Sequence, residues 1–263
     1  MRGIMKDWSE EWKKRRSEAG WKGQRKTKAS PDDYVALLNL SGYPGSILER
    51  IYKIFDFQDE STVLDVGAGT GAFAIPLAKN VSAVTVVEPS KEMAQYLMKS
   101  ADRNGLNNIE VITKRWEDIS RDDLREYNVV LAARSYYMLD IKSALLKMLD
   151  VTKDILFLVS HVANYEFEDI NKNFNDYAPA PDYIYLYNVL YQMKIYANVE
   201  IFTRDYDISY KSLLKQLVHL DMDSEKRVRD YLKNSNRLFK IKNNGELWVR
   251  CKYRDALIWY RKE

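Results

Sequence analysis

Five short apolar segments separated by amphipathic stretches organise the middle of the chain. The candidate strands are residues 62–66, 83–88, 109–113, 128–132 and 155–160. Residues 71–80, 91–104 and 141–150 lie between them and have helical spacing. Near-continuous apolar strands that alternate with helices are typical of a parallel sheet covered by helices on both faces. The pattern therefore predicts a doubly wound α/β core.

The flanking regions have other patterns. Before the core, the spacing predicts helices over 5–18 and 45–55, with another helix that begins at Ser30-Pro31. After it, we expect helices over 182–196, 209–220 and 223–234. Alternating segments 246–252 and 256–261 follow the turn Asn243-Asn244-Gly245, which is a hairpin signal. The sheet is thus predicted to be mostly parallel and to end antiparallel.

These patterns divide the chain into four parts. Residues 1–60 form an N-terminal helical extension that could act as a lid, and 61–162 form the core. Residues 163–236 form a helical insertion on the substrate side, and 237–263 supply antiparallel strands that complete the sheet.

Composition narrows the class of protein. Of 263 residues, 46% are hydrophobic and 30% charged, a globular balance. One cysteine, Cys251, excludes an intrachain disulfide and a cysteine-rich zinc site, and two histidines argue against a histidine metal cluster, so we predict no metal. No apolar run approaches about 18 residues, and the first sixteen residues are too charged for a signal peptide. We therefore expect a cytoplasmic protein without a membrane partner.

Positive charge is concentrated at the start of the chain. Residues 1–30 hold ten Lys/Arg and four Asp/Glu, a net charge of +6, so the remainder of this +3 chain carries −3. Such an arm is either a solvated helix face or a surface for an anionic partner such as RNA. Trp21 lies within the basic segment 13–28, and Trp12 directly precedes it. Aromatic residues interleaved with basic ones suit the binding of single-stranded RNA.

The chemistry-bearing segment is the glycine-rich turn after the first core strand, Asp65-Val66-Gly67-Ala68-Gly69-Thr70-Gly71. Glycines permit a tight turn and close approach of a ligand, and the following helix start offers free N–H groups. Glu88 ends the next strand, where a carboxylate can accept from both hydroxyls of a ribose. The spacing fits a dinucleotide site, but Asp65 would face a negative pyrophosphate and better suits a ligand with a positive amino or sulfonium group.

The segments LDVGAGTGAFAIPLA and VVEPS resemble motifs I and II of class I S-adenosylmethionine (SAM)-dependent methyltransferases. The resemblance covers residues 61–162 and implies a Rossmann-like, seven-stranded sheet with an antiparallel last strand. It also implies SAM as cofactor and S-adenosylhomocysteine (SAH) as product. The cofactor contacts that it implies come from Asp65, Gly67, Ala68, Gly69, Gly71, Glu88, Pro89, Trp116, Glu117 and Ala133.

Several of these residues have a second interpretation. Trp116 either borders the adenine or packs in the core, and Glu117 is a candidate acceptor for the adenine amine. Tyr137 follows the fourth core strand, beside which the family places the transferable methyl group, so it is a candidate catalytic residue. His161 follows the fifth strand and is either a general base or a structural histidine.

Seven of the nineteen tyrosines lie between 165 and 196. Tyr183, Tyr187 and Tyr191 share one helix face, which either packs on the sheet or lines a substrate pocket. The acceptor is predicted to be a small molecule, because typical nucleic-acid methyltransferase motifs are absent. The alternatives are an RNA methyltransferase that uses residues 13–28 and a SAM-binding subunit without catalysis. The sequence leaves the oligomeric state open.

Overall fold

The structure, a computed structural model, describes residues 6–19, 30–162, 169–170, 173, 178–217, 222–241 and 245–262. The strands are β1 (Thr62–Val66), β2 (Ala83–Val87), β3 (Ile109–Ile112), β4 (Tyr127–Ala133), β5 (Thr152–His161), β6 (Asn198–Ser209), β7 (Leu238–Lys240) and β8 (Leu247–Arg261). The helices are α1 (Trp8–Glu18), α2 (Pro31–Leu40), α3 (Gly45–Ile54), α4 (Ala74–Leu77), α5 (Lys91–Arg103), α6 (Ile141–Val151), α7 (Tyr183–Gln192), α8 (Tyr210–Gln216) and α9 (Met222–Asn234).

One sheet runs through the molecule in the order β3-β2-β1-β4-β5-β8-β6, and β7 pairs with β8. Strands β1 to β5 pair in parallel, whereas β8 is antiparallel to β5, β6 and β7. The main path therefore has seven strands, of which β8 alone runs in the opposite direction. This confirms the predicted doubly wound fold class with an antiparallel last strand.

Local sequence explains where the helices begin. Asp7 caps α1 by accepting from the amides of Ser9 and Glu10. Ser30 and Asp33 form a reciprocal capping box at α2, with Pro31 in the first turn. Such caps satisfy N–H groups that have no partner within the helix. The helix starts predicted near 5–9 and at Ser30 are thus confirmed.

Helices cover both faces of the sheet. On one face α1, α6 and α7 pack around Trp12, Leu145 and Leu186. On the other face α2 to α5 pack around Ile47, Leu77 and Leu97. Side chains at the carboxyl ends of β1, β4 and β5 thereby meet at one edge of the sheet, where ligands bind in open α/β folds.

The C-terminal third differs from its prediction in two respects. Strand β6 lies within 163–236, the part predicted as a helical insertion, and pairs with β8 along its whole length. The segments predicted as 246–252 and 256–261 form the single strand β8, because Asp255 is fully buried and continues the pairing. The hairpin between β7 and β8 is present, while Asn243 and Asn244 of its predicted turn lie outside the described residues.

Two classes of feature are absent among the residues that the structure describes. No helix there is both long and apolar enough to cross a bilayer. That part of the chain also has no group of three His, Cys, Asp or Glu side chains placed to hold a metal ion.

Candidate functional site

The turn between β1 and α4 requires its glycines for two different reasons. Gly67 and Gly69 have φ values of +75° and +58°, which side-chain-bearing residues rarely adopt. A Cβ on Gly67 would lie 2.3 Å from the Cβ of Ser135, so this glycine lets β4 approach the turn. A Cβ on Gly69 would meet no atom within 4 Å. Gly69 therefore borders open space, into which a ligand can fit against the backbone.

Glu88, directly after β2, is held at this turn by two backbone donors. The Gly69 amide donates to its Oε2 at 2.8 Å, and the Ser90 amide donates to its Oε1 at 2.8 Å. The residue is 7% exposed. The carboxylate is thus fixed in orientation at the border of the open space, where its remaining lone pairs can accept from ligand hydroxyls.

Asp65, near the end of β1, is a buried acid with no ion-pair partner in the described part of the chain. It is 1% exposed, and neither carboxylate oxygen makes a hydrogen bond of ordinary geometry. Burial raises the pKa of Asp65 to about 7; the charge of Glu88 adds to this rise and the Ala74 amide opposes it. A buried carboxylate is costly unless it is paired. Asp65 and Glu88, called here the acidic pair, therefore suit a ligand that carries positive charge and hydroxyl groups.

The other predicted cofactor residues differ in their exposure. Pro89 and Glu117 are exposed, and Ala68 and Ala133 are half-buried beside the turn and at the end of β4. Gly71 has a φ of +88°, and its Cβ would lie 2.9 Å from the Ile75 side chain, which indicates a packing role.

Trp116 lies in the core. It is 2% exposed, and its indole N–H donates to the Ala144 carbonyl at 3.1 Å. The Lys147 ammonium lies 4.5 Å from its ring centroid. Almost no Trp116 surface is left for a ligand to cover, so the packing interpretation replaces the adenine contact.

The two candidate catalytic residues occupy neighbouring strand ends. Tyr137 is 44% exposed, and the Arg16 guanidinium lies 5.1 Å from its ring centroid. His161 is the last residue of β5 and is paired in register with Asp255 of β8. Both residues lie near the carboxyl ends of β4 and β5, and their catalytic roles stay predictions.

Residues 63–154 match the family model of a methyltransferase domain. This segment coincides with β1 to the start of β5, and it includes the acidic pair and the glycine turn. Residues 63–154 are a class I SAM-dependent methyltransferase domain. The predictions of this family and of SAM as its cofactor are confirmed.

Relatives of the methyltransferase domain differ in how much they share with this chain. An uncharacterized protein of Haemophilus influenzae is 33% identical over 166 residues, or 61% of this chain and 60% of that protein. A probable ribosomal RNA small subunit methyltransferase A of Methanosphaera stadtmanae is 30% identical over 89 residues, or 34% of this chain and 32% of that protein. The chain thus spans less than two thirds of either relative.

Solved structures share the fold. A putative methyltransferase from Bacillus halodurans superposes with a TM-score of 0.60 at 16% identity, over 83% of this chain and 99% of that one. Magnesium protoporphyrin IX methyltransferase from Synechocystis PCC 6803, with bound SAM, gives 0.51 at 12% identity over the whole of both chains. At these identities the likeness concerns the fold alone.

Directly after β4 lies a buried charged group that the sequence did not reveal. Arg134 donates from Nε and Nη2 to the two carboxylate oxygens of Asp255, at 2.9 and 2.6 Å. Arg204 also donates to Asp255. The Arg134 guanidinium lies between the rings of Tyr43 and Tyr253, 3.9 and 4.1 Å from their centroids. These five residues are called here the arginine cluster.

The arginine cluster escaped prediction because its members come from four distant segments. Tyr43 precedes α3, Arg134 follows β4, Arg204 lies in β6, and Tyr253 and Asp255 lie in β8. Two local signals were available in the sequence. The adjacent residues Arg254 and Asp255 interrupt the alternating pattern of the tail, and Arg134 directly follows an apolar segment.

Helix α1 of the N-terminal extension is packed into the core. Trp12 is fully buried, and its indole N–H donates to the Met138 carbonyl at 2.9 Å. Arg16 is 7% exposed and donates to the Tyr136 carbonyl. The suggestion that Trp12 offers its ring to single-stranded RNA is therefore wrong. Trp21 and the rest of 20–29 lie outside the described residues, and closure as a lid stays a prediction.

Three of the four tyrosines of α7 pack against the core. Tyr183, Tyr185 and Tyr187 are half-buried next to the α1–α6–α7 core, and Tyr185 meets Trp8 edge to face at 5.5 Å. Tyr191 is 57% exposed. The packing interpretation therefore agrees with Tyr183 and Tyr187 but not with Tyr191. Tyr165 and Tyr177 lie outside the described residues.

Proposed function

We propose that this chain transfers the methyl group of SAM to a small-molecule acceptor and releases SAH. The observation that carries the proposal is the acidic pair beside the open space at Gly69. Asp65 supplies an unpaired buried negative charge, which fits the cationic methionyl end of SAM. Glu88 is oriented by two amides toward the hydroxyls of a ribose. A neutral or anionic nucleotide would leave Asp65 uncompensated.

The bound sulfonium supplies the electrophilic methyl group, so the chain's main tasks are alignment of the acceptor and exclusion of water. Ser135 fixes the loop after β4 against the glycine turn by donating from Oγ to the Val66 carbonyl at 2.6 Å. His161 and Tyr137 lie at the ends of adjacent elements on this edge. We propose His161 as the base for an acceptor that must lose a proton, and Tyr137 as a contact to the acceptor.

A small acceptor is favoured over RNA by the burial of α1. Trp12 and Arg16, which could otherwise stack on a base and bind a phosphate, are both buried. The RNA alternative is supported by the relatives named as ribosomal RNA methyltransferases and by the exposed Lys13 and Lys14. Both alternatives require the acidic pair to bind SAM, and they differ only in the acceptor.

Methyl transfer from labelled SAM tests this proposal. The protein is incubated with two fractions of a cell extract, one small-molecule and nuclease-treated, the other RNA, and SAH release is measured. We expect turnover with the small-molecule fraction only. Turnover confined to the RNA fraction would establish the alternative, and SAH binding without turnover in either fraction would support a non-catalytic subunit.

Two glycine variants show whether that activity depends on the turn. Gly69→Val should abolish SAH binding, because the side chain fills the open space. Gly105→Val is the matched control: Gly105 has a φ of +67° and also borders open space, but in the turn after α5. Equal loss of binding in both variants would indicate a folding defect instead of a ligand contact.

A further inference from the structure

The arginine cluster carries more positive than negative charge. Arg134 and Arg204 contribute +2, and Asp255, fully buried between them, contributes −1. The side chains of Arg134 and Arg204 are 18% and 9% exposed. The nearby Glu200 of β6 is bound by Arg50 at 2.7 Å. Among the described residues, one buried positive charge therefore has no counter-charge.

The unbalanced charge is located on Arg204. Its Nε and Nη1 are buried and make no hydrogen bond within the described part of the chain, although Nη2 donates to Asp255. Burial lowers the pKa of Arg204 and the charge of Arg134 adds to this effect, while Asp255 opposes it. Unsatisfied buried donors on a cation are costly, so two of them on one residue call for a partner.

The cluster adjoins the place where the acceptor must lie. Arg134 directly precedes Ser135, which contacts the glycine turn. Tyr43 meets Phe73, just before α4, edge to face at 5.6 Å. Along β4, the position opposite Asp65 is Leu131, three residues before Arg134, which is a separation of about 10 Å at ~3.3 Å per residue. The backbone of Arg134 therefore lies within about 10 Å of the strand position opposite Asp65.

We infer that the methyl acceptor carries a carboxylate, which Arg204 and Arg134 bind. The inference rests on the proposed function and specifies its substrate class. A guanidinium presents planar donors that match a carboxylate, and a monoanion balances the single excess charge. A phosphate monoester, with a charge of about −1.5 to −2, would overbalance it.

Binding to the SAH complex tests this inference with matched acids and amides: acetate and acetamide, benzoate and benzamide, phenylacetate and phenylacetamide. Dissociation constants are measured by ligand-observed NMR, with phenyl phosphate as a further probe. We expect at least one acid to bind ten-fold or more tightly than its amide. Arg204→Gln should remove that preference, whereas Arg250→Gln, the same charge change at an exposed position of β8, should retain it.

Three results would overturn the inference: no acid preferred over its amide by the wild-type protein, a preference that survives Arg204→Gln, or tighter binding of phenyl phosphate than of every acid. The comparison of acids with amides on the wild-type protein tests the inference even if Arg204→Gln does not fold. Calorimetric titration of SAH into the same samples separates the two proposals. If the wild-type protein does not bind SAH, the proposed function is contradicted. If it binds SAH but prefers no acid over its amide, only the inference of a carboxylate on the acceptor is contradicted.

Discussion

The acidic pair and the arginine cluster are both buried and both unbalanced, but in opposite directions. Among the described residues, Asp65 has no ion-pair partner and shares its surroundings with Glu88, whereas Arg134 and Arg204 both bind Asp255. Tyr136 lies close to both regions: burial raises the pKa of its hydroxyl well above the usual value, and Tyr43 and Asp65 each add to the rise. One edge of the sheet thus holds two separate buried groups, the acidic pair with excess negative charge and the arginine cluster with excess positive charge.

This difference teaches that the role of a buried acid depends on its neighbours. Asp255 compensates two cations and stabilises the fold, while Asp65 is uncompensated and opposes folding until a cationic ligand arrives. Removing the acid should therefore change stability in opposite directions at the two places.

The largest expected effect is the loss of stability in Asp255→Asn. Neutralising this acid leaves two buried guanidinium groups without a counter-charge, which should lower the free energy of unfolding by about 3–5 kcal/mol. Urea denaturation measures it. Asp205→Asn, which weakens an exposed pair with Lys252 at 3.5 Å, is the control and should change little. Equal effects of the two substitutions would contradict the compensating role of Asp255.

Glu88→Ala should cost about 2–4 kcal/mol of SAH affinity, because hydrogen bonds to a charged group are worth about 1.5–3 kcal/mol each and are not additive. Calorimetric titration of the folded variant measures this loss. Glu92→Ala, an exposed acid in the first turn of α5, should bind SAH normally. Arg204→Gln should do so as well, since the arginine cluster does not contact the cofactor in our proposal. An unchanged SAH affinity in Glu88→Ala would remove Glu88 from the site.

Asp65→Asn should stabilise the ligand-free protein. The folded pKa of about 7 lies above the ordinary value of 3.8, so ionised Asp65 destabilises the fold as pH rises from about 4 to 7. The full shift corresponds to about 4 kcal/mol at 1.36 kcal/mol per pKa unit. Because a buried asparagine amide also lacks partners, the net gain at pH 8 should be on the order of 2 kcal/mol. Melting curves at pH 8 and pH 4 measure it, and a gain of equal size at both pH values would exclude ionisation as the cause.

SAM affinity should rise about ten-fold between pH 6 and pH 8, because the ionised fraction of a group with a pKa of about 7 rises by that factor. The wild-type protein and Asp65→Asn are titrated in parallel. The variant should bind SAM more weakly at pH 8 and show little pH dependence. A pH dependence retained by the variant would assign the titration to another group.

The proposed cofactor half of the site could be predicted from the sequence because its signals are local. Gly67, Gly69 and Glu88 lie on a single strand–turn–helix–strand unit, so spacing alone places them together. Glu88 and Asp65 are at the predicted positions. The absence of a hydrogen-bond partner for Asp65 is a property of the packed structure, which no spacing reveals.

The acceptor half could not be predicted in this way. In strand β6, exposed residues such as Asp205 and Asp207 alternate with the more buried Arg204 and Tyr206. Because so many of its residues are polar, the sequence pattern did not identify this segment as a strand. Trp12 lies in a polar helix, and its burial depends on partners about 120 to 180 residues later in the chain, as shown by its bond to Met138 and by that of Trp8 to Gln192. Long-range contacts of this kind leave no local pattern.

The docking of α1 has a consequence for synthesis of the chain. The Trp8 amide donates to the Gln192 side chain, and the two residues are separated by 184 positions. At about 5–20 residues per second, the ribosome needs roughly 10–40 s to complete that interval. During this time the α7 residues that pack against Trp8, such as Tyr185, are not yet available. The dense charge of α1, including the exposed Lys13 and Lys14, favours hydration of this helix until α7 emerges, so we expect α1 to complete its docking only after α7 is made.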